Sequence, residues 1–472
     1  MNSAPVSEAP PARPALIPVP LRADPVDWEP RIQHSAKTKW GLVALAIALG
    51  FLTHFSTRKS APPPKPESNL LPTHAKADAT ENAIRFYRAR VARDPEDTRS
   101  QNALAEYYLQ RVQESGNEDY LPLALQSAIA SLKAVPPERN FGGLLALARA
   151  EFTNHAFLAA RDHALQLTGL DPNKSDAHAV LGDACLELGD YDRADRAFQK
   201  MRALDERNPG VQTRLGRLAF LRGSIDQAEQ HFNFAIVLLR AWPNSPNEPR
   251  AWCQWQLGET AFAIGNYRAA ENHYREALQT APNYFRALAG MGHVRAGLGD
   301  IPGAINYYEQ AARIVPTSDF MAILGDLYQS ARRNKDAAAR YELVEQLSEH
   351  SHKVHGTIFD RRLALFHADH DLKTEEAYAL AQAEYVGGRR DIYGADALAW
   401  TALKSGRTAE AQLAIKEALR LGTVDARLFY HAGMIAMASG DKSAGLAFLK
   451  RALALNPHFD PLQCENARRS LR

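Results

Sequence analysis

Five of the 16 histidines, His350, His352, His355, His367 and His370, fall within 21 residues, beside Asp369 and Asp371. Imidazole and carboxylate groups are good ligands for zinc, nickel or copper, and residues three or four apart on a helix share a face. The spacing matches no familiar metal motif, and a solvated helix end accounts for the same residues. Metal handling by this cluster is therefore the second reading of function, and no metal ligand is assigned. Two other stretches copy catalytic wording. GDKSAG at 440–445 suggests a phosphate loop, but it lacks the glycine to Gly-Lys spacing and a preceding strand. STRK at 56–59 has the Ser-x-x-Lys spacing in which a lysine activates a serine, yet no domain surrounds it. HExxH, GxSxG and GxGxxG do not occur. No catalytic constellation emerges, so the expectation is a protein that is not an enzyme and needs no cofactor.

The elements that would position such residues come next. The chain has 472 residues, 46% hydrophobic and 23% charged, enough for several domains or one long array. Its formal net charge of +2 gives no argument for nucleic acid. Cys185, Cys253 and Cys464 are scattered, which excludes a disulfide framework and a cysteine-based zinc site.

Thirteen of the 27 prolines lie in the first 72 residues. They mark residues 1–39 as a disordered tail and 58–79 as an extended linker. Between them, 40–57 reads WGLVALAIALGFLTHFST, 18 residues without an acid, Lys or Arg. As a helix this spans about 27 Å, the thickness of a thin bilayer. Proline-rich flanks leave a buried helix no partners, and no small-x-small cleavage site follows. The expectation is an uncleaved transmembrane signal anchor. Arg22, Arg31, Lys37 and Lys39 precede it, against Arg58, Lys59 and Lys65 after it. This slight positive-inside bias places the N-terminus in the cytoplasm and the rest outside it.

From about residue 80 the wording repeats. LGDACLELGDYDRADRAF at 181–198 recurs as LGETAFAIGNYRAAENHY at 257–274 and MGHVRAGLGDIPGAINYY at 291–308. With a unit starting at Ser175, Leu181 and Gly182 occupy slots 7 and 8, and Gly189 slot 15. Ala194, Phe198 and Met201 then occupy slots 20, 24 and 27. The next unit puts Leu215, Gly216, Gly223, Ala228, Phe232 and Ala235 in the same slots. Small residues at 8, 20 and 27 let helices approach closely, while large ones at 7 and 24 fill the space between. Glycine at 15 suits a left-handed turn, and proline at 32 stops the second helix.

This pattern resembles the tetratricopeptide repeat (TPR) family, whose 34-residue units are helix–turn–helix pairs. Units start near 98, 141, 175, 209, 251, 285, 318, 358, 392 and 426, so the solenoid should cover 80–458, with 459–472 as a short polar end. The unit at 98 carries about nine extra residues around QESGNEDY, and His155 stands where the unit at 141 should have its turn glycine. RAWPNSPNEP and EQLSEHSHKVHG interrupt the period and could divide the stack into two halves. The fold expected is an all-α, right-handed superhelical TPR solenoid of about ten units, preceded by one transmembrane helix.

The resemblance also implies a concave groove lined by the first (A) helix of each unit, with slots 2, 5, 9 and 12 facing it. Those slots include Arg149, Phe152, Arg217, Phe220, Trp252, Trp255, Glu259, Phe262, Arg286, His293, Tyr393 and Trp400. Aromatic and arginine side chains anchor many protein interfaces. Arg149, Arg217 and Arg286 would form a stripe suited to an extended, acidic peptide, with the Trp252–Trp255 pair as the leading contact. Equally, aromatics in these slots can wedge between neighbouring A helices. The chaperone-tail clamp of some TPR domains needs a lysine and asparagine trio that these slots do not hold. The layout is similar to anchor-plus-TPR proteins of bacterial envelopes. The expected function is a membrane-tethered scaffold that binds protein or peptide partners during envelope assembly.

Overall fold

In every well-formed unit one contact sets the helix pair. The slot 8 glycine of the first helix lies directly beneath the large slot 24 side chain of the second. A Cβ on Gly182 would meet the Phe198 ring at 2.2 Å, on Gly258 the Tyr274 ring at 2.3 Å, and on Gly325 the Tyr341 ring at 2.1 Å. Gly216 with Phe232, Gly292 with Tyr308 and Gly433 with Leu449 repeat the arrangement. Ala194, Ala228, Ala270 and Ala304 in slot 20 are wholly buried, as are Ala235, Ala277 and Ala311 in slot 27. Burying one large side chain in this way contributes about 1.5–3 kcal/mol.

A computed structural model describes residues 74–242, 247–355 and 360–472. The tail 1–39, the apolar segment 40–57 and most of the linker lie outside the described residues. Among the described residues there are 22 α-helices and no strand, and no helix is long and apolar enough to cross a membrane. Helix His74–Arg93 comes first, beginning inside the stretch expected to be linker. The A helices follow as Thr98–Ser115, Phe141–Thr153, Ser175–Glu187, Pro209–Leu221, Asn247–Ala263, Phe285–Gly297, Ser318–Ser330, Arg361–Asp369, Ile392–Lys404 and Ala426–Ala438. Their B partners are Tyr120–Ala134, Phe157–Leu170, Tyr191–Leu204, Ile225–Ala241, Tyr267–Thr280, Ile301–Ile314, Asn334–His355, Thr374–Val386, Thr408–Ala418 and Lys442–Leu455. A last helix, Gln463–Ser470, buries Cys464 and Ala467. These helices form the all-α solenoid of helix–turn–helix units that the repeat implies.

The irregular units have local causes. The extra residues of the unit at 98 mainly lengthen its A helix to 18 residues, against 13 in the unit at 141. EQLSEHSHKVH belongs to an overlong B helix of 22 residues. At the turn lacking glycine, His155 adopts φ 60°, and Arg332 and Asp371 do the same at 58° and 54°. The left-handed corner is thus imposed by the fold even where the side chain makes it unfavourable. Asp371 also places the turn of the eighth unit one residue earlier than a start at 358 predicts.

The solenoid closes on itself, which the repeat pattern does not show. The A–B turn of one unit meets the loop that precedes the sixth unit onward. A Cβ on Gly116 would meet Val315 at 2.3 Å, on Gly189 the Arg390 carbonyl oxygen at 2.2 Å, on Gly223 the Gly422 oxygen at 2.5 Å and on Gly265 the Leu455 oxygen at 2.6 Å. Hydrogen bonds run along the same seam. The Ile392 amide donates to the Tyr191 hydroxyl at 2.9 Å, Asn456 Nδ2 donates to the Phe262 carbonyl at 2.7 Å, and the Thr423 hydroxyl donates to the Leu221 carbonyl. Between them, Leu186, Tyr191 and Leu221 share one apolar cluster with Ile392, Ile415 and Leu428. Six units therefore make one superhelical turn, and successive turns touch edge to edge. The interruptions do not split the stack, because the six-unit register holds on both sides of them.

Two glycine substitutions separate the local strain of the turn from the seam. Gly299→Ala meets nothing within 4 Å and carries only the positive φ of 81°, a cost of about 1–2 kcal/mol. Gly223→Ala carries the same strain and collides with the Gly422 backbone, so its expected cost is distinctly larger, about 2–4 kcal/mol. Urea unfolding of the two variants checks this, and equal losses would remove the seam from the account.

Candidate protein-binding face

The side chains expected to face a groove come from neighbouring A helices, and the structure couples them in two ways. Units at 251 and 285 are joined by aromatic contacts. Trp252 packs edge-on against Phe232 at 6.0 Å and lies 6.3 Å from Trp255. The guanidinium of Arg286, from the next unit, lies 5.4 Å from the centre of the Trp255 ring and 4.9 Å from that of Phe285. Further along the same helices Phe262 stacks on His293 at 5.3 Å, and His293 meets Tyr308 edge-on at 5.5 Å. Trp252, Trp255, Glu259, Phe262 and His293 are half-buried, and Arg286 is exposed. These residues wedge the A helices apart and also present one face outward.

The electrostatics of this patch follow from its surroundings. Burial pushes the Glu259 carboxyl up, although the Tyr274 hydroxyl donates to it at 2.8 Å. Burial pushes His293 down to about 4, so its ring is neutral at ordinary pH. The patch thus offers aromatic faces and the Arg286 cation.

The other arginines of the expected stripe are already paired. Arg149 reaches Glu106 at 2.9 Å on the preceding A helix and Asp176 at 2.8 Å on the following one. Arg217 holds Glu187 at 2.7 Å. Adjacent A helices lie about 10 Å apart, within reach of long side chains from both sides. A three-arginine stripe for an acidic peptide does not form, because two of its charges are spent inside the solenoid.

Of the remaining residues Phe152, Phe220 and Tyr393 are half-buried and Trp400 is buried. Phe152 meets Phe157 of its own unit at 5.3 Å, and Phe220 packs on the core around Phe232. The Tyr393 hydroxyl donates to Asp425 at 3.3 Å. Trp400, expected in a groove, is only 3% exposed. Its Nε1 donates to Asp369 at 2.8 Å, and its ring stacks on His431 at 4.2 Å, which is itself bonded to Asp396 at 2.8 Å. Trp400 is core because the final helix completes the network around it: Gln463 donates to Asp369 at 2.7 Å.

The histidine cluster is dispersed. His367 is fully buried, with Nε2 3.2 Å from Glu345. His370 lies 2.8 Å from both Asp326 and the Phe366 carbonyl through its two nitrogens. Burial opposes a charge on His370, but Asp326 outweighs it and raises the pKa. His350 lies 3.6 Å from Asp119, His352 is exposed, and the side chain of His355 is outside the described residues. Among the described residues no three His, Cys, Asp or Glu side chains gather as a metal site. His367 and His370 fasten the short helix Arg361–Asp369 to its neighbours, so the metal reading loses its geometric basis.

Residue types and spacing did not reveal the charged cluster at the seam. Glu187 bonds Arg217 and also Arg389 at 2.9 Å, 202 positions away. Arg389 approaches Glu384 at 3.3 Å, and Arg361 pairs with Glu384 at 2.7 Å and Asp391 at 2.6 Å. The only trace of it in the sequence is GGRRD at 387–391, a run of charge just before an A helix.

Comparisons with known proteins agree with this architecture. A tetratricopeptide repeat family model matches residues 145–209, 256–319 and 397–458, and a second one matches 210–283. Together they span half of the chain, which belongs to the tetratricopeptide repeat family. A curated relative, the human cell division cycle protein 16 homolog, is 21% identical over 168 residues, 34% of this chain. The match takes in about a quarter of that relative's length, 26%. Among solved structures, PilF of Pseudomonas aeruginosa is 19% identical and matches 43% of this chain and 89% of its own, with a TM-score of 0.36. PilW, described as a type IV pilus biogenesis factor, is 18% identical over 43% of this chain and 90% of its own, with a TM-score of 0.37. The Cut9–Hcn1 hetero-tetramer of the APC/C is 12% identical over 84% and 94%, with a TM-score of 0.31.

The seam cluster has a pH signature. Burial alone would raise Glu187, but Arg217 and Arg389 hold it at about 2. A carboxyl depressed in the folded state contributes stability above its unfolded pKa of about 4.3 and loses it as pH falls towards 2. Glu187→Gln is expected to destabilise the protein by about 3–5 kcal/mol at pH 7, because it strands the half-buried charge of Arg217 and takes one of its carboxylates from Arg389. The gap from the unaltered protein should narrow between pH 4.3 and 2 in thermal melts. A gap independent of pH would contradict the assignment.

Proposed function

We propose that this chain is a protein-binding scaffold that takes a segment of a partner on the face formed by the units at 251 and 285. The observation that carries the reading is the Trp252–Trp255–Arg286 patch, half-buried to exposed, on two consecutive A helices. Flat aromatic rings beside an arginine bury a large area at little rotamer cost, as recurrent interface anchors do. Phe262 and His293 extend the patch along the same helices. The partner fitting it is a peptide segment with apolar or aromatic side chains, one of which stacks against Trp255. The chain acts by binding and has no chemistry of its own.

The tether belongs to the same proposal. Segment 40–57 matches a thin bilayer in length and carries no charge. It would hold the solenoid at a membrane, with the repeats on the extracytoplasmic side, where envelope assemblies are built.

Two experiments test these parts separately. Crosslinking pull-down from membranes should lose its partner, by at least about tenfold, in the Trp252→Ala/Trp255→Ala variant and in Arg286→Glu. Arg286→Glu changes an exposed side chain, so it reports on binding even where the double variant unfolds. Retention of every partner in both variants would refute the binding face. Alkaline extraction should leave the full chain in membranes and release a variant lacking 40–57, and a reporter fused at Arg472 should report an extracytoplasmic end. Release of the full chain would refute the tether alone.

A further inference from the structure

The contact that closes the solenoid is used on only part of each edge. The turns at Gly116, Gly189, Gly223 and Gly265 each receive a loop from six units onward. Those at Gly299, Gly406 and Gly440 have the same backbone, with φ of 81°, 79° and 89°. Among the described residues, a Cβ at any of these three would meet nothing within 4 Å. They are exposed, whereas Gly189, Gly223 and Gly265 are half-buried.

The opposite edge holds the matching half. Two of the four loops closing the seam carry a residue–proline step, Val315–Pro316 and Asn456–Pro457, and the other two, at Arg390 and Gly422, have none. The same step occurs at Asp94–Pro95 and Asp171–Pro172, and residues 94–96, 172–174 and 205–207 are exposed. One edge therefore bears turns with room for a loop, and the other bears loops of the kind those turns accept.

We infer that a second copy of this chain docks head to tail in the same register, its loops at 94–96 and 205–207, three units apart, entering the turns at Gly299 and Gly406, also three units apart. The seam is the template. At Gly189, Gly223 and Gly265 a loop already meets such a turn through its backbone oxygen, and at Gly116 through the Val315 side chain, so four different loops satisfy one turn shape. The two halves differ and lie on opposite edges, so the contact is heterologous: each copy uses one edge and leaves the other available. Successive copies would continue the superhelix, stacked like lock washers. The contact uses none of Trp252, Trp255 and Arg286 and does not depend on them.

Sedimentation velocity of the detergent-solubilised full chain up to about 100 µM tests the proposal. The unaltered chain should associate with rising concentration. Gly299→Asn/Gly406→Asn should weaken association by about tenfold or more with an unchanged melting temperature. Asparagine tolerates the left-handed backbone while its side chain fills the vacant space. Gly223→Asn, at an occupied turn, should instead lower the melting temperature. Carbodiimide crosslinking of mixed light and heavy copies should join Lys335 or Lys442 of one copy to Asp94, Glu96, Asp205 or Glu206 of another. A chain that stays monomeric, association that survives the double variant, or inter-copy crosslinks confined to the B helices would each overturn the proposal.

Discussion

The structure depends on a glycine facing a ring. Where slot 8 has no Cβ, a phenylalanine or tyrosine in slot 24 settles onto the bare backbone of the first helix, and the two axes draw together. No pair buries its whole apolar surface alone, so each must stack on the next. Repeating one close contact at a fixed interval gives constant curvature. At six units per turn, that curvature brings the edges of successive turns together.

Closure changes what the molecule can offer a partner. An open cradle would expose arginines along its whole length. In the closed form Arg217 and Arg389 both serve Glu187, the second of these pairs tying the two turns together, while Arg361 serves Glu384 and Asp391 beside it. Replacing such buried ions singly is costly because the partner charge is stranded. What remains for recognition is the patch at 252–293, where aromatic groups outnumber charges. Ion pairs between neighbouring A helices, joined at the seam by Glu187–Arg389, take up Arg149 and Arg217 and leave the aromatic part of the inner surface.

The same economy governs the titratable groups that drew attention first. Five histidines within 21 residues look like a site in one dimension. In three dimensions His367 and His370 point to different partners, Glu345 and Asp326, because residues three apart on a nine-residue helix packed on two sides meet different neighbours. Trp400 shows the converse. Its slot belongs to the inner face, but the final helix brings Gln463 to Asp369 and encloses it. A slot number describes a helix face, not what another part of the chain lays over that face.

The helix pairs, their boundaries, the left-handed turns and the small-over-large packing were legible in the sequence, because each is set within about 34 residues by side-chain size and backbone freedom. That Trp252, Trp255 and Arg286 occupy one helix face was legible for the same reason, since neighbouring units share a frame. The seam was not. Glu187 with Arg389, Tyr191 with Ile392 and Thr423 with Leu221 are about 200 residues apart, and their meeting depends on a small rotation accumulated over six units. Local rules specify that rotation only unit by unit, while its sum decides whether the edges meet. The sequence determined the repeating pair; tertiary structure alone decided that the array closes, which arginines it consumes, and which turns stay open.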